Sequence, residues 1–302
     1  MNILNKLIAI IITVIIFHFI FRYIDFINQK SFKTTSEWWY LNAHITADDG
    51  SNYGIYIWQP REDFLLFSIS DELNEKYYFA KVSGYELQFE LNKVNLSLGP
   101  NYWIQSKNDP FNFNIHIEYN QTFMDFYLEN EKRPLEVCGA DLRPFKINEK
   151  DRYCSLTRLG IQGDLTIDGN SKYVNGIAWV DHQKLIQRFE GWEWFGIQLN
   201  NSIDLRVAKI LFNNSIVYGG AVIDEIGNLV ERIYNGSVEK IYISGNHQVG
   251  WHIALPEHEI NLSIQPTFKN QRFNKSFWEM DCRANGSFKG IPVTGLCYAE
   301  IV

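Results

Sequence analysis

The amino-acid sequence predicts an all-β protein built from two packed antiparallel barrels. The chain has 302 residues, which is enough for about two domains. After residue 30, short alternating or aromatic-rich runs take the place of helical periodicity. Turn signals such as Asp49-Gly50 and Gly219-Gly220 separate these runs. This pattern is typical of antiparallel barrels or sandwiches, and the absence of a low-complexity linker favours two barrels in close contact.

The predicted strands follow one another along the whole body of the chain. They cover residues 53–58, 64–69, 85–91, 113–119, 122–128, 161–167, 194–199, 205–212, 215–223, 238–243, 251–255, 260–264 and 293–300. A single helix is predicted at residues 71–77, between turn residues. We expect an N-terminal barrel at residues 31–186 and a C-terminal barrel at 187–302, with the join near 183–192.

Composition and charge exclude several functional classes. The net charge is −7, whereas a protein that binds phosphate backbones should be basic, so nucleic acid is not an expected partner. Neither a Gly-rich phosphate loop nor a Gly-x-Ser-x-Gly nucleophile motif occurs. His247, His252 and His258 have spacings that suit no common metal site. We therefore expect neither a cofactor nor a metal.

The N-terminal segment carries a membrane signal. Residues 7–21 are apolar except for His18, and the chain that follows offers no small-residue cleavage site. An uncleaved membrane anchor within residues 1–30 is favoured, while a cleaved secretory signal and a buried helix are the alternatives. Either of the first two places the body outside the cytoplasm, in a periplasmic or extracellular location.

The four cysteines form two sequence-local pairs. An even number of cysteines in an exported chain predicts disulfides between Cys138 and Cys154 and between Cys282 and Cys297. Four buried thiols are the alternative.

Four groups of aromatic and acidic residues occur in a defined order. The first contains Glu37-Trp38-Trp39-Tyr40 and, a few residues later, His44. The other three groups cover residues 153–159, then 176–183 with 191–199, and finally 250–252 with 277–279 and 295–300.

In this order and spacing, the motifs resemble the family of carotenoid 1,2-hydratase and the AttH-like secreted hydrolases. The resemblance runs from about Ser36 to the C-terminus. It implies two lipocalin-like β-barrels and an apolar, unsaturated substrate handled without an organic cofactor. The family includes kievitone-hydratase-like enzymes and decalin-forming cyclases.

The chain departs from the family pattern at two places. Cys154 replaces one of two tyrosines that usually precede the serine of the second motif. The third motif reads Trp179-Val180-Asp181, as in the secreted-hydrolase branch, where the carotenoid hydratases have Tyr-x-Asp. Carotenoid is therefore a disfavoured substrate, and no catalytic triad supports the hydrolase name.

Asp181 is the best candidate for a catalytic acid. A carboxyl group in an apolar pocket keeps its proton near neutral pH, and the faces of Trp179, Trp192 and Trp194 can stabilise a carbocation. We expect His182 to orient Asp181 or to relay a proton. The alternative is that Asp181 caps a turn and His182 is an interior donor.

The remaining candidates are expected to bind the substrate. They are Glu37, Trp38, Trp39, Tyr40, His44, Tyr153, Trp192, Trp194 and Tyr298. Trp38 and Trp39 point to opposite faces of a strand, so only one of them can face the pocket. Glu37 lines the pocket or pairs with an arginine such as Arg158. Tyr298 and Glu300 share a strand face, and Glu193 is expected to face solvent.

Two functions fit these residues. The first is a cofactor-independent hydratase, isomerase or cyclase acting on a lipid-like or isoprenoid-like molecule in a barrel pocket. The second is a non-catalytic, lipocalin-like carrier or membrane-tethered protein that binds a hydrophobic ligand. They differ in whether an acid reaches the cavity.

Overall fold

The structure is a computed structural model, and it describes residues 36–90, 94–136, 152–185, 189–243, 247–274 and 276–302. Glu37–Val302 form one compact unit. The expected membrane segment within residues 1–30 lies outside the described residues. In the part of the chain that is described, no helix is long and apolar enough to span a bilayer.

The first half of the chain forms one curled antiparallel sheet. Its strand order is β4-β3-β2-β1-β12-β11-β9-β8-β7-β6-β5, and β10 pairs with β11. The strands are β1 (Ser36–Ala47), β2 (Asn52–Pro60), β3 (Phe64–Asp71), β4 (Lys76–Ser83), β5 (Leu87–Phe89), β6 (Asn95–Leu98), β7 (Asn101–Gln105), β8 (Phe113–Tyr119), β9 (Thr122–Asn130), β10 (Leu135–Glu136), β11 (Arg152–Ile167) and β12 (Asn170–Leu185).

The second half forms a second curled antiparallel sheet, of order β16-β15-β14-β13-β21-β20-β19-β18-β17. A short 3-10 turn at Pro256–His258 joins two of its strands. The strands are β13 (Gly191–Leu199), β14 (Asp204–Phe212), β15 (Ser215–Ile223), β16 (Leu229–Ile233), β17 (Ser237–Ile243), β18 (His247–Leu255), β19 (Ile260–Pro266), β20 (Trp278–Phe288) and β21 (Ile291–Ile301). The all-β prediction with two half-barrel sheets is confirmed.

Each sheet encloses its own apolar core. The first core contains Leu41, Phe126 and Val180, and the second contains Phe195, Trp251 and Ala299. Because side chains alternate along a strand, the other face of the same strands is left free to meet the opposite sheet. A third cluster, which includes Tyr40 and Trp194, fills this contact between the sheets.

A buried ion cluster also joins the two sheets. Asp204 of β14 is fully buried and accepts hydrogen bonds from Lys132 Nζ at 2.6 Å and from Thr157 Oγ1 at 2.9 Å. Arg158 Nη2 donates to its other oxygen at 2.6 Å. The last strand of the first sheet ends at Leu185, and the first strand of the second sheet begins at Gly191. The proposed domain boundaries themselves stay a prediction.

The helix predicted at residues 71–77 is wrong. Asp71 ends β3, and its carboxylate accepts hydrogen bonds from the backbone N–H and side-chain amide of Asn74 at 3.1 and 2.8 Å. Glu75 has a positive φ of 50° and leads directly into β4. Local side-chain hydrogen bonding therefore favours a tight turn over a helix.

The expected Cys282–Cys297 disulfide is not formed. The two residues lie directly opposite each other in β20 and β21 and are fully buried, but both thiols are free. Burial in the second core raises the pKa of both thiols. The Cys297 thiol instead donates to the Tyr298 carbonyl oxygen at 3.5 Å. Cys138 lies outside the described residues, so its pairing with Cys154 stays a prediction.

Candidate active site

The cluster between the sheets contains most of the residues that the sequence indicated. Tyr40 and Trp179 reach it from the first sheet, and Trp194 and Tyr298 reach it from the second. Trp38 and Trp192 pack against it and are partly exposed. The site residues therefore lie between the two barrels, whereas the sequence placed them inside one. The reason is strand alternation, because the inward-facing positions on these strands carry the apolar cores.

Asp181 is held in place by two hydrogen-bond donors. The Tyr153 hydroxyl donates to Asp181 Oδ2 at 2.5 Å, and Trp179 Nε1–H donates to Oδ1 at 2.7 Å. Asp181 is only 4% exposed. The guanidinium of Arg206 lies 4.4 Å from the centre of the Tyr153 ring. The side chain thus has a fixed orientation in an aromatic setting.

Burial dominates the ionisation of Asp181. Loss of hydration raises the pKa of its carboxyl group, while the hydroxyl of Ser155, the hydrogen bonds from Tyr153 and Trp179, and the positive charge of Arg206 act in the opposite direction. Burial also raises the pKa of Tyr153, so that its hydroxyl remains a donor. This balance suits a general acid: burial favours the protonated form, and the same donors stabilise the aspartate left after proton transfer.

Two further carboxyl groups face the cluster from the second sheet. Glu279 and Glu300 lie directly opposite each other in β20 and β21. Tyr40 Oη donates to Glu279 Oε2 at 3.5 Å, and Trp192 Nε1–H donates to Glu300 Oε1 at 2.5 Å. Burial, and then the charge of Glu300, raises the pKa of Glu279; burial raises that of Glu300 to about 7.

The aromatic rings connect Asp181 to this carboxyl pair. Trp179 and Trp194 meet edge to face, with their centroids 5.7 Å apart. Trp194 makes a similar contact with Tyr40 at 5.4 Å. Trp179 binds Asp181 and Tyr40 binds Glu279, so acidic groups stand at both ends of a row of rings.

His44 and Tyr298 lie together at a neighbouring part of the sheet contact. Their ring centroids are 5.5 Å apart, and His44 Nδ1 lies 2.8 Å from Asp281 Oδ1. Arg283 Nη1 contacts the same carboxylate oxygen at 2.8 Å and also pairs with Glu72. Burial would raise the pKa of Asp281, but His44 and Arg283 hold it below its ordinary value.

His182 is not brought to Asp181. As adjacent residues of β12 they point to opposite faces, and His182 stacks on Trp39 with the ring centroids 4.8 Å apart. Its Nε2 atom lies 3.1 Å from Glu37 Oε1. Burial lowers the pKa of His182, and Glu37 opposes this effect. Tyr153 and Trp179, rather than His182, orient the catalytic candidate.

Glu37 and Glu193 also lie away from Asp181. Glu37 does pair with an arginine, but that arginine is Arg61, whose Nη1 lies 2.9 Å from Glu37 Oε2. Arg158 forms an ion pair with Asp204 instead. Glu193 was expected to face solvent, and this is wrong. It is 7% exposed and lies 2.8 Å from Lys240, on the side of β13 that faces the second core.

Two clefts lie apart from the aromatic cluster. One of about 750 Å³ is lined in part by Arg158, Gln198 and Arg283, and one of about 440 Å³ by Arg61 and Lys81. Neither is lined by Asp181. The partly exposed side chains that pack around the aromatic cluster are Trp38, Trp58, Leu66, Phe189, Trp192, Phe212, Phe273 and Phe277.

Sequence reasoning missed Glu279 and Arg206 as parts of the site. Glu279 follows Phe277 and Trp278 in a recognised motif, but its proximity to Glu300 depends on the pairing of β20 with β21. Arg206 lies in a predicted strand, where alternation places it on the face opposite Leu205 and Val207 of the second core. In the described part of the chain, no group of three potential metal ligands occurs.

The fold and the site define a class of all-β protein in which two curled sheets enclose carboxyl groups among aromatic rings. Within this class, the chain belongs to the AttH-like family, whose family model matches residues 25–302. The resemblance read from the motifs is thus confirmed. Among curated protein sequences, none matches the chain.

Solved structures share this fold. An AttH protein from Nitrosomonas europaea is 18% identical, with a TM-score of 0.73; the match covers 89% of this chain and 92% of that one. Kievitone hydratase from Nectria haematococca is 14% identical, also with a TM-score of 0.73, and 88% of each chain is covered.

Proposed function

We propose that this protein is a cofactor-independent hydratase, isomerase or cyclase that acts on an apolar, unsaturated small molecule by acid catalysis. The observation that carries the proposal is Asp181, a buried carboxyl group oriented by Tyr153 and Trp179 at an aromatic cluster. The hydratase activity named for the Nectria haematococca neighbour supports this reaction class.

The proposed first step transfers the Asp181 proton to an alkene carbon. The π electrons form the new C–H bond and leave a carbocation at the neighbouring carbon. Aromatic faces such as Trp179 and Trp194 stabilise a nearby cation by roughly 0.5–2 kcal/mol each. In a hydratase, water adds to the cation and then loses a proton. In an isomerase, the cation loses a proton from a neighbouring carbon. In a cyclase, a second double bond attacks the cation to close a ring, and the new cation then loses a proton. Tyr153 and Trp179 stabilise the resulting aspartate.

The proposal extends to the membrane. The apolar run at residues 7–21 supports an anchor that holds the body outside the cytoplasm, and such a position suits a substrate that partitions into the bilayer. Intact mass of the mature protein tests this part. A chain that begins between residues 20 and 35 would leave a secreted protein instead.

The Asp181→Asn variant tests the reaction. Asparagine keeps the shape and removes the acidic proton, so we expect turnover to fall by about 10²–10⁴-fold while ligand uptake persists. Purified full-length protein is incubated with a lipid extract of its host in D₂O, and mass spectrometry follows deuterium entering C–H bonds. All three reactions place a solvent-derived hydron on carbon.

Asp164→Asn is the matched control, because Asp164 is exposed on β11. A carrier would retain lipid in both proteins and incorporate no deuterium in either. A purely structural Asp181 would lower the melting temperature of the variant along with its ligand uptake. Undiminished incorporation by a stable Asp181→Asn protein would contradict the assignment.

A further inference from the structure

Glu279 and Glu300 are two carboxyl groups that have no counter-ion in the described part of the chain. They are cross-strand partners, and opposite side chains in an antiparallel pair have Cβ atoms about 5 Å apart. Glu279 is fully buried and Glu300 is partly buried. Among the described residues, no Lys, Arg or His forms an ion pair with either carboxyl group.

Several strands contribute titratable groups that act on the pair, and among the described residues these are phenols and carboxyl groups; the positive charge of Arg206 acts on Asp181. Tyr40, Tyr56 and Tyr77 face it from β1, β2 and β4. Tyr298 of β21 and Asp181 of β12 also interact with the pair. The phenols are kept neutral because burial raises their pKa. Asp181 can add only negative charge.

Under these conditions the pair retains a proton. Two carboxylates at this separation repel each other strongly, and burial removes the water that would screen them. A single proton held between them relieves both costs, and the two groups then titrate as a unit.

Two buried polar atoms near the pair support the same conclusion. Glu279 Oε1 and Trp194 Nε1 have no hydrogen-bond partner among the described residues, and Trp194 is 7% exposed. A buried polar atom without a partner is costly unless something supplies the missing bond. A shared proton supplies it for Glu279, and a bound water or hydroxyl group supplies it for the Trp194 indole.

We propose that Glu279 and Glu300 share one proton and act as the general base of the site, opposite Asp181. This role rests on the proposed function. In a hydration, Asp181 protonates the alkene carbon, and water oxygen attacks the cation. The singly protonated pair accepts the proton that this water loses. The product gains one water. Before the next turnover the pair returns its extra proton to solvent, and Asp181 takes up a proton from solvent.

The proton sharing is tested without any substrate. Full-length protein is labelled with ¹³C at the side-chain carboxyl carbons of glutamate only, so aspartates give no signal. The labelled protein is titrated with pH and followed by NMR. We expect Glu279 and Glu300 to titrate in two separated steps, with the upper step near or above pH 7. In Glu300→Gln, Glu279 loses a charged neighbour, and its titration moves to lower pH than the upper step of the wild type.

The role in catalysis is tested by deuterium incorporation. Glu279→Gln and Glu300→Gln each keep an oxygen that can accept the Tyr40 or Trp192 hydrogen bond, so both variants are expected to fold. We expect incorporation to fall by about 10²-fold or more in each. Glu239→Gln, an exposed change on β17, should leave incorporation and the Glu279–Glu300 titration unchanged.

The possible failures are distinct. Independent titration of both groups near the ordinary glutamate range would overturn the shared proton. Shared titration with full activity in both variants would overturn the catalytic role. Shared titration without deuterium incorporation in the wild type would contradict acid catalysis at Asp181, and with it the base role, but would leave the shared proton established.

Discussion

At Glu300, protonation and folding are linked. Burial raises its pKa from 4.5 to about 7, so the folded chain binds this proton more tightly than the unfolded chain. The resulting stabilisation is complete below the unfolded pKa and is lost as the pH rises through the folded pKa. We therefore expect the free energy of unfolding to fall between about pH 4.5 and pH 7, by on the order of 2–3 kcal/mol.

Glu300→Gln removes the titrating group, so its unfolding free energy should change less over this range. Urea unfolding of the two proteins at several pH values measures the difference. Glu239→Gln serves as the control and should follow the wild type. Parallel curves for Glu300→Gln and wild type would show that Glu300 titrates alike in the folded and unfolded chains.

The sequence predicted which candidate residues lie together better than it predicted their hydrogen-bond partners. Asp181 and the tryptophans were found because a carboxyl group among aromatics is itself a chemical signal. The period of two correctly separated Trp38 from Trp39, which lie in different clusters. Tyr153 to Asp181 and Glu279 to Glu300 are contacts between strands, and strand register is set by the whole sheet rather than by local spacing.

The pairing of β12 depends on a close approach at Gly176. A Cβ atom at this position would lie 2.0 Å from the His44 carbonyl oxygen of β1. Backbone cannot yield as a flexible side chain can, so Gly176→Ala should separate the two strands. We expect a loss of about 1–3 kcal/mol in unfolding free energy, seen as a lower denaturation midpoint at unchanged slope.

Ser171→Ala is the control for this change, because it alters an exposed position of the same strand. If Gly176→Ala unfolds at the wild-type midpoint, then β1 and β12 tolerate a wider spacing. Deuterium incorporation provides a second readout, since β1 carries Tyr40 and β12 carries Asp181.

Element prediction succeeded where alternation and turn residues were both present. The runs at residues 113–119, 122–128 and 215–223 coincide with β8, β9 and β15 to within two residues. β12 and β20 were not among the predicted strands, although they carry Asp181 and Glu279. Residues 178–181 of β12 and 279–282 of β20 are buried on both faces, so polar and apolar residues do not alternate cleanly there.

Across the whole molecule, the strand register separates a polar end of the contact between the sheets from the end that carries the proposed catalytic residues. In the second sheet, Asp204 pairs with Gln198, Gln198 pairs with Leu296, and Leu296 pairs with Arg283. These four residues therefore form one row across neighbouring strands. Trp194, Glu300 and Glu279 form another row four residues along β13. At about 3.3 Å per residue, the rows are roughly 13 Å apart. The Asp204 ion cluster and the proposed chemistry therefore occupy different places.

This separation predicts the behaviour of Asp204→Asn. The change leaves the buried cations of Lys132 and Arg158 without their carboxylate, which should cost about 3–5 kcal/mol of unfolding free energy. Burial already lowers the pKa of Lys132, and loss of Asp204 should lower it further. At roughly 13 Å, the titration of Glu279 and Glu300 should be unchanged.

Asp164→Asn should match the wild type in both respects. Urea unfolding and the ¹³C titration measure the two effects on the same samples. A shifted titration of Glu279 and Glu300 in folded Asp204→Asn protein would contradict this separation. It would mean that the Asp204 cluster helps to position the Glu279–Glu300 pair.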